Sequence, residues 1–348
     1  MSFLSCPFVQ GLVTRKNLKI SIITVFFILA SLALFVSWPI YSLFNMAIVD
    51  KDEPALILNL DKSTSATQFA AALKEKKIID STRLFLSVVR FKGLAHQLKA
   101  GVYQVKPGES VMQLLSRVVA GDVLTQKFAI ISGTTQLKIT QELLQCSYLE
   151  YHPDDWSFIK ENHASAEGLL LADTYQYRGG SSSRTLLEQA HRNLMNYLNS
   201  TWITKADNLP YRNPYELLTA ASIIEKETAL ADERRIISGI LVNRLKKGMP
   251  LQMDPTVIYG LGTAYQGKLS HNDLQIDSPY NSYRYRGLPP TPIAMIGKEA
   301  IDAAAHPQWS HYLYFVAKGD GTHQFSETYE QQRKAISQYQ TQSQHKAL

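Results

Sequence analysis

Cysteine is almost missing from this sequence. Cys6 and Cys146 are the only two in 348 residues, too few for a disulfide framework or a paired-cysteine zinc site. No two histidines stand four apart, as a helical metal pair requires, and no P-loop occurs. Gly260-Leu261-Gly262 stops short of a dinucleotide loop, because Tyr265 stands where the third glycine belongs. Nucleotide and zinc chemistry are set aside on these spacings, and neither cofactor nor metal is expected. Charged residues are only 19% and hydrophobic residues 45%, a balance that excludes disorder and leaves ample apolar material for a core. The length predicts two domains.

Two serine patterns are decoys. Ser157-Phe158-Ile159-Lys160 reproduces the S-x-x-K of acyl-serine enzymes and Ser270-His271-Asn272 a loose S-x-N, but no K-T-G or K-S-G follows. Three-residue patterns of common residues arise by chance in a chain of this length.

The longest positive signal is apolar. Ile20 to Phe44 contains no charged residue, and at 1.5 Å per residue this run crosses a hydrocarbon core of roughly 30 Å. Trp38 and Tyr41 fall near its far end, where amphipathic rings favour the interface. The run exceeds the apolar region of a cleaved signal and no small-x-small site follows, so it reads as a retained transmembrane helix over residues 20–44. Arg15, Lys16 and Lys19 precede it, and Asp50, Lys51, Asp52 and Glu53 follow, which orients residues 1–19 to the cytoplasm. Cys6 and Cys146 would then lie on opposite sides of the membrane and could not pair. The formal charge of +6 also changes meaning. Without the three basic residues beside the span, 33 basic stand against 30 acidic residues, so the excess is in part an orientation signal and no nucleic-acid partner is expected.

Beyond the span, residues 55 to about 145 carry a weak strand–turn–helix repeat. Ala55 to Leu60 reads as a strand before a helix capped at Ser63 or Ser65, and Gly101 to Val105 leads through Pro107-Gly108 to a helix from Ser110 ended by Gly121. Lys127 to Ile131 then precedes a third helix through Ile139 and Leu143. Further on, Thr185 to Leu198 is amphipathic. Asn213-Pro214-Tyr215-Glu216 is a start signal with Asn at the cap, Pro in the first turn and Glu in capping-box position. A helix over about 232–247 has its stripe at Ile236, Ile237, Ile240 and Leu241. Tyr312 to Val316 and Thr322 to Phe325 form a hairpin around Gly319-Asp320-Gly321, and a polar helix ends the chain.

The helix opened by Asn213 ends in two carboxylates, Glu225 and Glu227. Two residues apart means about 200° apart, so they cannot form a close dyad and at most one faces a site. Glu227 shares the flank of Ile223 and Ile224, where burial raises a carboxyl pKa towards the range of a general acid. Glu225 lies only slightly farther from that stripe, so periodicity favours Glu227 and leaves Glu225 open; both also have Lys226 and Arg234 as surface partners. The following segment supplies Gln252, Asp254, Thr256, Tyr280, Asn281 and Tyr283. Amides with flat rings are the lining that holds sugar hydroxyls, acetamides and C–H faces, and these six are the candidate substrate-binding residues.

Ala221-Ser222-Ile223-Ile224-Glu225-Lys226-Glu227-Thr228, Asn243-Arg244-Leu245 and Leu251 to Gly260 resemble the endolytic murein transglycosylases of the MltG (YceG-like) family. The likeness continues through Tyr280-Asn281-Ser282-Tyr283, Gly287-Leu288-Pro289-Pro290, Ala304-Ala305-His306-Pro307 and Tyr312 to Val316. It implies an α+β protein of the bacterial inner membrane with one transmembrane helix, a LysM-like subdomain over 45–150, a mixed α/β catalytic domain over 151–340 facing the periplasm and a tail over 341–348. The implied activity cuts nascent peptidoglycan strands internally, between MurNAc and GlcNAc, leaving 1,6-anhydro-MurNAc ends that terminate elongation. Glycan strands, and peptidoglycan synthases beside them, are the partners to expect. The family's catalytic glutamate falls on Glu227, and Asp173 and Thr174 of the run Glu167 to Tyr175 join the substrate-binding candidates. Leu171 and Ala172 replace an aromatic residue and a proline of the family pattern, and Ser132 replaces an acidic residue. A muramidase using Asp254 as second carboxylate, and a non-catalytic glycan-binding anchor, are the alternatives.

Overall fold

The computed structural model of the chain describes residues 15–49 and 55–346. Cys6 and the flank Asp50 to Glu53 lie outside the described residues. The chain divides into two compact units, Met1–Leu124 and Thr125–Leu348.

The first unit opens with α1 (Arg15–Asn45). Thr24–Asn45 is long and apolar enough to cross a membrane, with a mean hydropathy of 1.9 and none of its apolar window buried in the protein. Its end is tied down: Leu43 and Val49 enter the unit's core, and Ile48 N–H donates to Glu109 O at 2.8 Å. There follow β1 (Ile57–Leu60), α2 (Ala66–Glu75), α3 (Thr82–Phe91), β2 (Gly101–Gln104) and α4 (Val111–Ala120). Ser65 and Ser110 cap α2 and α4, each in a reciprocal box with a glutamine, Gln68 and Gln113. Gly121 closes α4 at φ +76°, the left-handed turn its lack of a Cβ permits. The repeat is less regular than its sequence implies, because α3, capped by Ser81, lies between the first two copies. The result is β–α–α–β with β1 and β2 antiparallel, Leu58 opposite Tyr103. Phe69, Leu73, Phe85, Val89, Leu114 and Leu115 fill the core.

The third copy of the repeat belongs to the second unit. The expected boundary near residue 150 therefore differs from the break after Leu124. The cause is strand pairing: β3 (Thr125–Ala129) runs antiparallel to β5 (Thr174–Arg178), Lys127 opposite Gln176. Between them lie α5 (Gln136–Gln145), β4 (Leu149–Glu150) and α6 (Asp155–Lys160), and β4 pairs in parallel with β6 (Ser181–Ser182). The rest is mainly helical: α7 (Ser183–Thr204), α8 (Pro214–Glu227), α9 (Ala231–Lys246), α10 (Asp254–Leu261) and α11 (Lys298–Ala305). A hairpin of β7 (Tyr314–Ala317) and β8 (His323–Ser326) precedes α12 (Tyr329–Lys346).

Helix α8 is the centre of this unit. Leu217 through Ile224 are all buried, so the helix is enclosed on every side where α7, α9, α10 and α11 pack on it. The segment before α11 is fastened to it by Ile293 N–H, which donates to Ser222 Oγ at 3.0 Å. Gly168, at φ +74°, lets the loop before β5 press on that segment, since a Cβ there would lie 2.3 Å from Pro292 Cβ. His323 joins the hairpin to α9, its backbone N–H donating to Glu233 Oε1 at 2.8 Å.

Candidate active site

The start of α8 follows its sequence closely. Asn213 Oδ1 accepts the Glu216 N–H at 2.9 Å, and Pro214 occupies the first turn. Glu216 reaches one residue farther back than a standard box: its carboxylate accepts the N–H of Arg212 at 2.8 Å. The helix stops at Thr228, whose backbone is extended, and so ends in a turn carrying both glutamates.

Their surroundings separate them. Glu225 is fully engaged, with its side chain 5% exposed, Oε2 accepting the Gly297 N–H at 3.0 Å and Oε1 3.6 Å from Arg234 Nη2. It is a fastener between α8, α9 and the start of α11. Glu227 has no such partners. Its Oε2 is shut off from solvent and takes part in no hydrogen bond. Burial first, and the negative charge of Asp254 second, push its carboxyl up to about 8, against the opposing pull of Arg244. A buried carboxyl that keeps its proton at neutral pH is equipped as a general acid.

Arg244 is the cation of the site. It continues the buried stripe of α9 one turn beyond Ile240 and Leu241 and is itself 5% exposed. Nε donates to Leu313 O at 2.6 Å, and Nη1 donates to Leu251 O at 2.7 Å and to Gln252 Oε1 at 3.2 Å. These bonds tie the hairpin and the entry to α10 to one buried charge, while Asn243 Nδ2 holds the carbonyls of Ser310 and Tyr312. Sequence reasoning did not single out Arg244 as a site residue. A cation at heptad spacing from Ile237 was the signal available.

Gln252 is exposed, with φ +50°, and its N–H donates to Ser282 O at 3.1 Å. Asp254 is exposed at the start of α10 and accepts the Tyr283 hydroxyl at 2.6 Å. Burial and then Asp254 raise the Tyr283 phenol pKa, so it remains a neutral donor. Glu227 thus feels the charges of Asp254 and Arg244, which are bonded in turn to Tyr283 and Gln252.

Two expected substrate contacts are frame residues instead. Asn281 is fully buried: its Nδ2 donates to Leu274 O and Ile276 O at 3.0 and 2.9 Å, and its Oδ1 accepts the Tyr283 N–H. Thr256, also fully buried, bonds Met253 O and Ser282 Oγ. Both amide and hydroxyl are consumed in shaping the loop that presents Tyr283. Tyr280 is half-buried, bonded to Thr291 Oγ1 at 2.9 Å and set edge-on to Tyr259.

Asp173 and Thr174 are exposed at the head of β5. Leu171 bridges Ile296, the residue before Gly297, and Ala172 N–H donates to Ile296 O at 3.0 Å. A proline at 172, as in the family pattern, has no N–H to give, so this bond is specific to the alanine. Another carboxyl with a raised pKa, that of the buried Glu167, accepts the Gln136 N–H at 3.0 Å and the Tyr259 hydroxyl at 3.3 Å, and burial pushes it up to about 7. Its sequence context gave no sign of this environment.

The profile of the YceG-like family matches residues 58–338. The chain is 32% identical over 317 residues to a Bacillus subtilis protein described as an endolytic murein transglycosylase, covering 84% of this chain and 87% of that one. A Streptococcus pneumoniae protein of the same description is 26% identical over 325 residues, and the matched region spans 57% of its length. The crystal structure of a yceG-like protein from Listeria monocytogenes superimposes with a TM-score of 0.50 at 27% identity, covering 81% of this chain and 99% of that one. A family match running from β1 into α12, joined by a relative 32% identical over 84% of this chain, makes the chain a member of the YceG-like family.

Proposed function

We propose that this protein is an endolytic peptidoglycan lytic transglycosylase that uses Glu227 as its single acid and base. The observation that carries the reading is the state of that carboxyl: its Oε2 is shut off from solvent without a hydrogen-bond partner, and burial with the Asp254 charge pushes its pKa up to about 8. The relatives described as endolytic murein transglycosylases supply the substrate class.

The reaction needs no second carboxylate. Glu227 gives its proton to the glycosidic oxygen leaving C1 of MurNAc, and the C1–O bond breaks with oxocarbenium character at the sugar ring. The C6 hydroxyl of the same MurNAc then bonds C1, and Glu227, now a carboxylate, takes the hydroxyl proton. The acid is regenerated, no water is consumed, and the products are a 1,6-anhydro-MurNAc end and a GlcNAc bearing a free 4-hydroxyl. Because the nucleophile is tethered to its target, proximity supplies what a hydrolase obtains from a second carboxylate and a positioned water. The Asp254 charge, held by Tyr283, faces the developing positive charge. Gln252 and Tyr280 are assigned to the acetamide and the ring face in this reading.

The β–α–α–β unit around Tyr103 is read as the LysM-like, glycan-holding part, and α1 as a single anchor in the inner membrane with its N-terminus cytoplasmic. The catalytic unit then faces the periplasm, where peptidoglycan synthases release nascent strands.

The test is mass spectrometry of the ends formed when the full-length protein in detergent acts on purified glycan strands. Anhydro ends are expected. Reducing ends, heavier by one water, would favour hydrolysis with Asp254 as second carboxylate. Strands bound but not shortened would reduce the protein to a glycan-binding anchor.

A further inference from the structure

A polar concavity lies in the second unit, outside the Glu227 group. It is an open hollow of about 350 Å³. One side is a single face of α7, with Asn193, Asn196 and Ser200 at positions i, i+3 and i+7. The buried Leu171 gives it an apolar patch, and Asp173 and Lys298 bring one charge of each sign.

The charges are backed by fixed structure. Lys298 begins α11, and its Nζ stands 5.3 Å from the centroid of the Tyr197 ring. That ring is held by its hydroxyl, which donates to the Asp302 carboxylate at 2.8 Å. Asp173 follows the Ala172 N–H bond to Ile296 O and caps its own turn through Thr174 N–H at 2.7 Å.

This chemistry does not suit a sugar ring. The Tyr197 face, which would provide the stacking platform, is taken by the lysine ammonium, and neutral sugar hydroxyls make little use of two separate charges of opposite sign. It suits a peptide carrying both a carboxylate and an ammonium group, with amides between them for Asn193 and Asn196. The substrate proposed above carries such a group. The lactyl ether of each MurNAc bears a stem peptide with free carboxylates and, before cross-linking, a free side-chain amine on its third residue. A peptide of four or five residues reaches about 15 Å. The hollow borders the segment of Leu171 and Ala172, which Ile296 and Gly297 connect to Glu225 on α8, the helix that also carries Glu227.

We infer that this hollow is a stem-peptide subsite, in which Lys298 receives a peptide carboxylate and Asp173 the free amine, so that the enzyme selects strands whose peptides are not yet cross-linked. The inference rests on the reading of the protein as a peptidoglycan-cleaving enzyme.

The experiment compares initial rates of anhydro-end formation by the full-length protein on three glycan preparations. One retains stem peptides with free amines, one has those amines acetylated, and one is stripped of peptide by an amidase. The wild type should cut the first about tenfold faster than the stripped strands, with the acetylated strands between them. Lys298→Glu should bring the ratio of the first to the stripped preparation close to one, and Lys298→Arg should keep it. Asp173→Asn, which retains the oxygen that caps Thr174, should abolish the distinction between free and acetylated amines. Equal wild-type rates on all three, or a ratio that survives Lys298→Glu, overturns the subsite. A uniform loss on all three substrates leaves the ratio intact and therefore also counts against it.

If wild type forms no anhydro ends on any preparation, it is the proposed reaction that fails. The hollow is then judged by calorimetric titration of a disaccharide–pentapeptide against the bare disaccharide. Tighter binding of the peptide form, weakened about tenfold by Lys298→Glu, supports the subsite, and equal binding overturns it.

Discussion

Tyr283 donates its hydroxyl to Asp254 across 2.6 Å, and this pair supplies a negative charge whose effect reaches Glu227. Burial is the largest cause of the raised Glu227 carboxyl and Asp254 the next. As the proposed general acid, Glu227 is therefore in its active, protonated form below about pH 8 and loses it as pH rises through that value. Replacing Asp254 by Asn removes the charge but keeps an oxygen for the Tyr283 hydroxyl. The alkaline limb of kcat/KM against pH is expected to move to lower pH, by up to about one unit. An unmoved limb would mean that Asp254 does not govern the acid.

Glu227→Gln should abolish anhydro-end formation by at least about 10²-fold without harming the fold, because Oε2 makes no bond to lose. The linkage has a definite sign. The folded-state pKa of about 8 lies above the ordinary glutamate value of 4.5, so the native state binds more protons than the unfolded chain between these values. The stability contribution is present below about pH 4.5 and is lost as pH rises towards 8. Thermal unfolding followed across this range should therefore show wild type losing Tm relative to Glu227→Gln with rising pH. Parallel curves would place the carboxyl in water and end the argument for a desolvated acid.

The two glutamates show how far the sequence carried. The start of α8 was legible because its signals are local: a capping asparagine, a proline in the first turn and an apolar run. Choosing between Glu225 and Glu227 was beyond periodicity, since the decision lies in Gly297 and Arg234, which arrive from other elements. The same holds for Asn281, whose composition suggested a sugar contact and whose buried amide is spent on Leu274 and Ile276. Helix α10 was hidden because it is eight residues long in a stretch rich in Tyr, Pro and Asn. The boundary at Leu124 was hidden because β3 finds its partner beyond two intervening helices.

Glu225→Gln tests the division of labour directly. A glutamine oxygen still accepts the Gly297 N–H, while the interaction with Arg234 is weakened to a neutral contact. A stability loss on the order of 1 kcal/mol is expected in urea unfolding, with rates within a few-fold of wild type. Loss of anhydro ends in Glu225→Gln together with their retention in Glu227→Gln would exchange the two roles.

Arg244 links stability to catalysis. Arg244→Met fills much of the same volume but leaves the carbonyls of Leu313, Pro250 and Leu251 and the Gln252 amide without their shared donor. Stranding several buried acceptors is expected to cost on the order of 3 kcal/mol, measurable as a lower urea midpoint with an unchanged slope. The charge has a separate effect. Arg244 pulls the Glu227 pKa down, so its removal should move the alkaline limb of the pH profile upwards, opposite to Asp254→Asn. Arg244→Lys keeps the charge but cannot serve the divided set of acceptors with one ammonium, so it should recover the position of the limb better than the stability. If the methionine variant shifts the limb downwards, or not at all, Arg244 is a structural clamp without influence on the acid.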